Sequence, residues 1–251
     1  INLASKAGVS EATVSRLAHA CGYSGYAELQ SAIQVEVKDN LSLRRHVPQA
    51  GQQSLLAEIA YMEKTIMDDM ISGISDELFE KTVDLLYEAK RLIVVGSQCT
   101  YPLAYYAVYF FRTFRSDVEL VSCQESHILS LTQKTGPETV VLSYSFPRYP
   151  RMVQELVADF HKAGHYIIGV TDSPLSPLAE FTKHILAVPT TYASLIDPFA
   201  GVLVLTHALL MATMLRDKQN YARNIARFND FVVNKKIYLN SEIDIVNLVD
   251  I

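Results

Sequence analysis

The sequence predicts an α/β fold: a five-stranded, parallel, doubly wound sheet preceded by a small all-α helix-turn-helix. Three observations carry this. From Arg91 onward, five short apolar runs rich in β-branched residues recur, most of them separated by longer amphipathic segments. Runs that are apolar on both faces belong in a parallel sheet covered on both sides by helices. The chain opens with two short helical patterns joined by a glycine turn. Between these regions lies a polar stretch with Pro48 and Gly51, "KDNLSLRRHVPQAGQQS". It reads as a linker, which gives a helix-turn-helix over 1–37, a linker over 38–54 and an α/β domain over 55–251.

The first helix spans roughly Ile1 to Ala7, with Leu3, Ala4 and Ala7 on one face. Gly8 falls where a C-terminal cap needs a left-handed residue. Ser10 is placed to cap the next helix, with Glu11 in its first turn. Val14, Leu17, Ala18 and Cys21 then recur at i, i+3, i+4 and i+7 as a buried stripe, and Gly22 ends the helix. Ile1 already reads as mid-element, so residues are expected to precede it and the small domain to be N-terminally incomplete.

Helical patterns follow over Leu55–Ile71 and Asp76–Ala89. The strand runs are "RLIVVG" (91–96), "VELVS" (118–122), "TVVLSYS" (139–145), "YIIGVT" (166–171) and "HILAVP" (184–189). Ala200 to Lys218 reads as one long buried helix. The apolar run within it, from Phe199 to Leu215, is marginal in length for a membrane span and contains Thr206, His207 and Thr213. The tail "KIYLNSEIDIVNLVDI" is too apolar to stay in water and is expected to pack on the domain or on a partner subunit.

A hydrophobic fraction of 49% is ample for a core and excludes a disordered chain. A net charge of −5 excludes a uniformly basic nucleic-acid binder but not a local reading element. Cys21, Cys99 and Cys123 form no C-x-x-C and no close Cys/His cluster, so neither a disulfide framework nor a metal site is expected. A reducing cytoplasm is the simpler setting, and no signal peptide opens the chain.

Two regions carry candidate chemistry. In the second helix, Ser10, Thr13 and Ser15 are the short polar side chains that let a backbone approach a DNA major groove, and Arg16 can reach a phosphate or a guanine edge. An ordinary capped hairpin would place the same residues alike. In the larger domain, two strand ends are rich in hydroxyls. "GSQCT" carries Ser97 and Thr100; "SYSFPRY" carries Ser143, Ser145 and Arg148. Ligands of doubly wound sheets bind at such ends, and both loops lead into helices. If the two strands are neighbours, both loops converge on one anion, with Arg148 as its countercharge. The same serines and threonines would also serve as helix caps. A third strand end, "TDSPLSPLA", places Ser176 as a cap before Pro177.

The residues "AGVSEATVSR" and the following "GYSGY" resemble the helix-turn-helix of RpiR-type transcription regulators. "SYS" and "TDSPLSPLA" resemble the sugar-isomerase (SIS) domain that these regulators carry, and the resemblance spans the chain to about Asn234. The family's G-x-G-x-S loop falls on Gly96-Ser97-Gln98-Cys99-Thr100, with Gln98 in place of the second glycine and Thr100 in place of the serine. Its S-x-S-G-x-T loop falls on Ser143-Tyr144-Ser145-Phe146-Pro147-Arg148; both serines are kept, and the glycine and threonine are replaced. The resemblance implies a DNA-binding regulator rather than an enzyme. Its partners would be operator DNA and a phosphorylated sugar or sugar derivative, in a homodimer or homotetramer, with no cofactor and no membrane. The alternatives are a sugar-phosphate isomerase and a sensor acting on a protein partner. Glu125 and His127 follow the second strand; Glu125 could hold a ligand hydroxyl, cap a helix, or act as an acid or base as in related isomerases.

Overall fold

The computed structural model describes residues 3–33, 54–122, 138–190 and 196–239. The chain divides into two compact units, one of Ile1–Gln52 with Thr191–Ile196 and one of Gln53–Thr190 with Asp197–Ile251.

The first unit is helical. Helix α1 (Leu3–Ala7) and helix α2 (Glu11–Ala20) are joined by a tight turn, and a further helix, α3, runs over 26–33. Gly8 adopts φ +64° and Gly22 φ +86°. At both, the next amide reaches back five residues, from Val9 to Ala4 O and from Tyr23 to Ala18 O, each at 3.0 Å. These are the glycine-dependent C-caps that end α1 and α2. The buried stripe is narrower than its spacing suggests. Ala4, Val14 and Ala18 are buried, whereas Leu17 is 52% exposed and Cys21 lies at the surface. Helix α1 is five residues long and contributes one buried side chain, too little to cover both turns of the α2 stripe.

The second unit is built on five parallel strands: β1 (Arg91–Val95), β2 (Val118–Val121), β3 (Thr139–Tyr144), β4 (Tyr166–Thr171) and β5 (Ile185–Ala187). Their order is β2-β1-β3-β4-β5. The strand order reverses between β1 and β3, which leaves the C-terminal ends of these two neighbours as the topological switch point. Val95 pairs with Ser143 in register.

Alternation along the strands divides the core. On one face, Leu92, Val94, Leu142, Tyr144, Ile168, Val170 and Leu186 pack against helices α4 (Leu55–Gly73), α5 (Asp76–Glu88), α6 (Tyr101–Phe114) and α8 (Ala200–Leu215). On the other, Ile93, Val95, Val141 and Ile167 pack against helix α7 (Arg151–Lys162) and Leu178. The helix expected to run to Lys218 stops at Leu215. Asp217 accepts a hydrogen bond from Asn220 N at 2.9 Å and caps a separate helix, α9 (Lys218–Lys235), which the sequence pattern did not announce. Among the described residues, no single helix is long and apolar enough to cross a membrane. The linker over 38–53 and the tail from Asn240 lie outside the described residues.

Candidate functional site

The carboxyl ends of β1 and β3 each run into a helix through a short loop. After β1 the chain turns sharply at Gly96. A β-carbon there would come within 2.6 Å of Ala104 Cβ and 2.8 Å of Thr100 O, so only glycine fits. Gln98 follows with φ +52°. After β3, Arg148 and Tyr149 adopt φ +71° and +31°. Non-glycine residues with positive φ are uncommon and costly. Among the described residues the other one is Lys236, the left-handed cap of α9. The strained positions therefore gather in the two loops at the switch point.

The register brings the two strand ends together. Val95 pairs with Ser143, on the face of the sheet that packs on α7, and Thr100 of the β1 loop reaches the end of β3. Ser143 and Ser145 are fully buried and Ser97 is 9% exposed. The Ser143 hydroxyl has no hydrogen-bond partner within the described residues. A buried hydroxyl without a partner is costly and rare in native proteins. Ser145 Oγ accepts a hydrogen bond from Gln154 Nε2 at 2.8 Å, which leaves its own hydrogen available, and the Gln154 Oε1 is buried without a partner among the described residues. Helix α7, which starts after Pro150, has no side-chain cap at its N-terminus.

Thr100 has a different part. Its Oγ1 accepts from Ser97 N at 3.0 Å and reaches Ser97 O at 2.9 Å and Tyr144 O at 3.3 Å. A hydroxyl owns one hydrogen. Thr100 is thus committed to bracing the β1 loop against β3. Arg148 is exposed, and is close enough to the Cys99 thiol for its charge to act on it. Tyr149 Oη donates to Asp172 Oδ1 at 2.8 Å and ties the β3 loop to the end of β4. Asp197, just before α8, is near enough to the Cys99 thiol for its carboxylate to act on it. Partial burial, with Asp197 alongside, pushes that thiol up to about 11. Glu125 and His127 lie outside the described residues.

Sequence reasoning did not find Gln154. It had a weak signal, being one turn into the helix that follows the SYS loop.

Ser10, Thr13, Ser15 and Arg16 are in the other unit. Ser10 Oγ lies 2.9 Å from Thr13 Oγ1 and accepts from Thr13 N at 3.2 Å, and Arg16 Nη2 donates to Thr13 Oγ1 at 3.2 Å. Arg16 is exposed, while Thr13 and Ser15 are half-buried. The serine cap, the threonine and the arginine are thus linked along the first turns of α2.

Residues 85–216 match the family model described as the SIS domain. No curated protein matches the chain. Among solved structures, the fold is similar to the sugar isomerase domain of an RpiR transcription factor from Sphaerobacter thermophilus, at 18% identity and a TM-score of 0.67, covering 71% of this chain and 99% of that one. It is also similar to the NanR protein of Vibrio vulnificus complexed with ManNAc-6P, at 16% identity and a TM-score of 0.61, covering 92% of this chain and 84% of that one. A third is a protein of Methanococcus jannaschii whose structure is described as inferring the function of a 3-hexulose-6-phosphate isomerase, at 14% identity and a TM-score of 0.51, covering 67% of this chain and 96% of that one.

Proposed function

This chain belongs to the SIS domain family, and from that premise we propose that it is a transcription regulator whose SIS domain holds a phosphorylated sugar or sugar derivative and thereby alters the affinity of its helix-turn-helix for operator DNA. The observation that carries the sugar-phosphate part is the buried Ser143 hydroxyl at the switch point, which has no partner among the described residues, with the buried Ser145 two residues on. An oxyanion seated there would accept from these hydroxyls and from the uncapped N-terminus of α7. Neutral donors surround a phosphate without the cost of burying several charges, and Arg148 supplies the countercharge at the mouth. Thr100 positions the β1 loop. Glu125 is assigned a ligand hydroxyl.

The DNA part rests on α2. The Ser10–Thr13–Arg16 chain of hydrogen bonds prearranges the start of that helix, and an exposed arginine there suits a base edge or a phosphate. Two half-sites on a palindromic operator call for a homodimer, or a homotetramer built from two. The reading is of a binding protein that releases its effector unchanged. The likeness to the domain of an RpiR transcription factor and to NanR with its ManNAc-6P favours this reading. The likeness to the Methanococcus jannaschii protein favours the alternative, an isomerase. An isomerase would convert the sugar phosphate, which separates the two readings by one-dimensional NMR of the bound ligand.

Calorimetry tests the site. Hydrogen bonds to charged groups are worth about 1.5–3 kcal/mol, so Ser145→Ala should weaken phosphosugar binding roughly tenfold or more. Effector-free operator binding should stay intact. Wild-type affinity in both Ser143→Ala and Ser145→Ala would place the ligand elsewhere. For the DNA element, Arg16→Ala should cost roughly 1–3 kcal/mol of operator affinity and relax specificity at one base position. Unchanged affinity would remove Arg16 from the interface, and an equal loss on all sequences would make it a phosphate contact.

A further inference from the structure

Ser145 has one freedom left. Its N–H donates to Val170 O of β4 at 3.0 Å, and the residue is fully buried, so its backbone and β-carbon are held in place. What remains is the hydroxyl rotor, with one hydrogen to place. Gln154 Nε2 donates to Ser145 Oγ at 2.8 Å from the start of α7. Gln154 stands on a firm base, because its helix neighbours Val153 and Val157 are fully enclosed in the core between α7 and the sheet.

The direction of that bond sets what Ser145 can do. With Nε2 toward the serine, the buried amide atom without a partner among the described residues is Oε1. Reversing the amide would spend the Ser145 hydrogen on Oε1 and leave a buried amino group unpaired instead. An orphan carbonyl oxygen is tolerated better than an orphan N–H, which favours the arrangement in which Gln154 donates. The Ser145 hydrogen is then not spent on Gln154, and the Ser143 hydroxyl beside it in sequence has no partner among the described residues. We infer that Gln154 is a positioning residue: by donating to Ser145 Oγ it commits the Ser145 hydroxyl to act as a donor, and so prepares it for an oxyanion. This inference rests on the anion-site reading above. Two effects add. The rotor is held in one of its three staggered positions before the ligand arrives. A hydroxyl that accepts one hydrogen bond is polarised and donates a stronger one.

A double-mutant cycle on the full chain, read by calorimetry, tests it. The probe is whichever of glucose 6-phosphate, glucosamine 6-phosphate and 6-phosphogluconate the wild type binds most tightly. Gln154→Leu should weaken binding about threefold when Ser145 is present. In the Ser145→Ala background it should change nothing further, because no hydroxyl is left to direct; a general loosening of the fold would weaken binding in both backgrounds. Gln154→Glu keeps the shape of the side chain and serves if the leucine variant does not fold. Its carboxylate accepts where the amide donated, takes the Ser145 hydrogen and opposes the anion, so binding should fall about tenfold or more. Wild-type affinity in Gln154→Leu or in Gln154→Glu, or an equal loss from Gln154→Leu in both backgrounds, would overturn the role of Gln154 while leaving the anion site standing. Wild-type affinity in Ser145→Ala, or binding of none of the three probes, would overturn both.

Discussion

Gln98 sits at φ +52° in the loop after β1, at the position where the resembled family has its second glycine. A side chain there carries strain that glycine would not, partly offset by the larger entropy that glycine loses on folding. Gln98→Gly should therefore raise stability by up to about 1 kcal/mol, read as a higher urea midpoint at unchanged slope. A lower midpoint would show that the glutamine side chain offsets its own strain. His184 offers a second test, at the opposite end of the sheet. Thr82 Oγ1 donates to Leu78 O at 2.7 Å, so it accepts from His184 Nε2, 2.8 Å away. His184 Nδ1, 3.2 Å from Tyr166 Oη, is then the acceptor, and the ring is neutral. Burial, with Lys81 nearby, holds its pKa below the ordinary histidine value. The unfolded chain binds the proton first, so this contribution to stability is present above about pH 6.5 and is lost as pH falls below it. Denaturation between pH 7 and 5 should show that loss in the wild type and less of it in His184→Gln.

At the scale of elements, β3 carries the site on one face and a brace on the other. Tyr144 Oη lies 3.0 Å from Thr206 Oγ1 of α8, both fully enclosed, and Thr206 also donates to Val202 O. Burial keeps the Tyr144 phenol well above its ordinary pKa, hence protonated and donating to Thr206. Thr206→Val would leave that phenol buried without a partner, at a cost of about 1–3 kcal/mol. Tyr144→Phe combined with Thr206→Val should recover most of it, because the two polar groups leave together; a double variant no more stable than Thr206→Val would sink the pairing. The strands were legible because each is a short apolar run ended by glycine, serine, threonine or proline. Leu17 and Cys21 were misjudged as buried because helical spacing identifies one face, whereas burial needs a neighbour broad enough to cover it. The break at Asp217 was missed because the apolar pattern fades there without proline or glycine, and the cap is visible only as a hydrogen bond to Asn220.

On the scale of the whole molecule, exposed apolar surface bears on assembly. Helices α6 and α8 leave Tyr105, Tyr109, Leu203 and Val204 exposed, and α4 leaves Leu56 and Tyr61. An apolar cavity of about 380 Å³ opens between α6, α8 and α9, lined among others by Tyr106, Phe110, Met211 and Phe228. Exposed apolar surface of this kind marks association. Sedimentation at micromolar concentration should give a dimer or tetramer, and Val204→Asp should shift it toward monomer. A wild-type monomer, with or without phosphosugar, would rule out the proposed assembly.

By itself the sequence determined the α/β class, the five strands, the glycine caps of the helical hairpin and the two hydroxyl-rich strand ends. Each of these is written in neighbouring residues: the period of apolar positions, a glycine at a left-handed turn, a serine one step before a helix. Only the tertiary structure decided that β1 and β3 are neighbours, that Thr100 turns inward as a brace, and that Gln154 reaches Ser145. The physical reason is distance along the chain. Local patterns report the conformational preferences of a few adjacent residues, whereas a site at a topological switch point is assembled by strand order, and strand order is set by how the whole sheet buries both its faces.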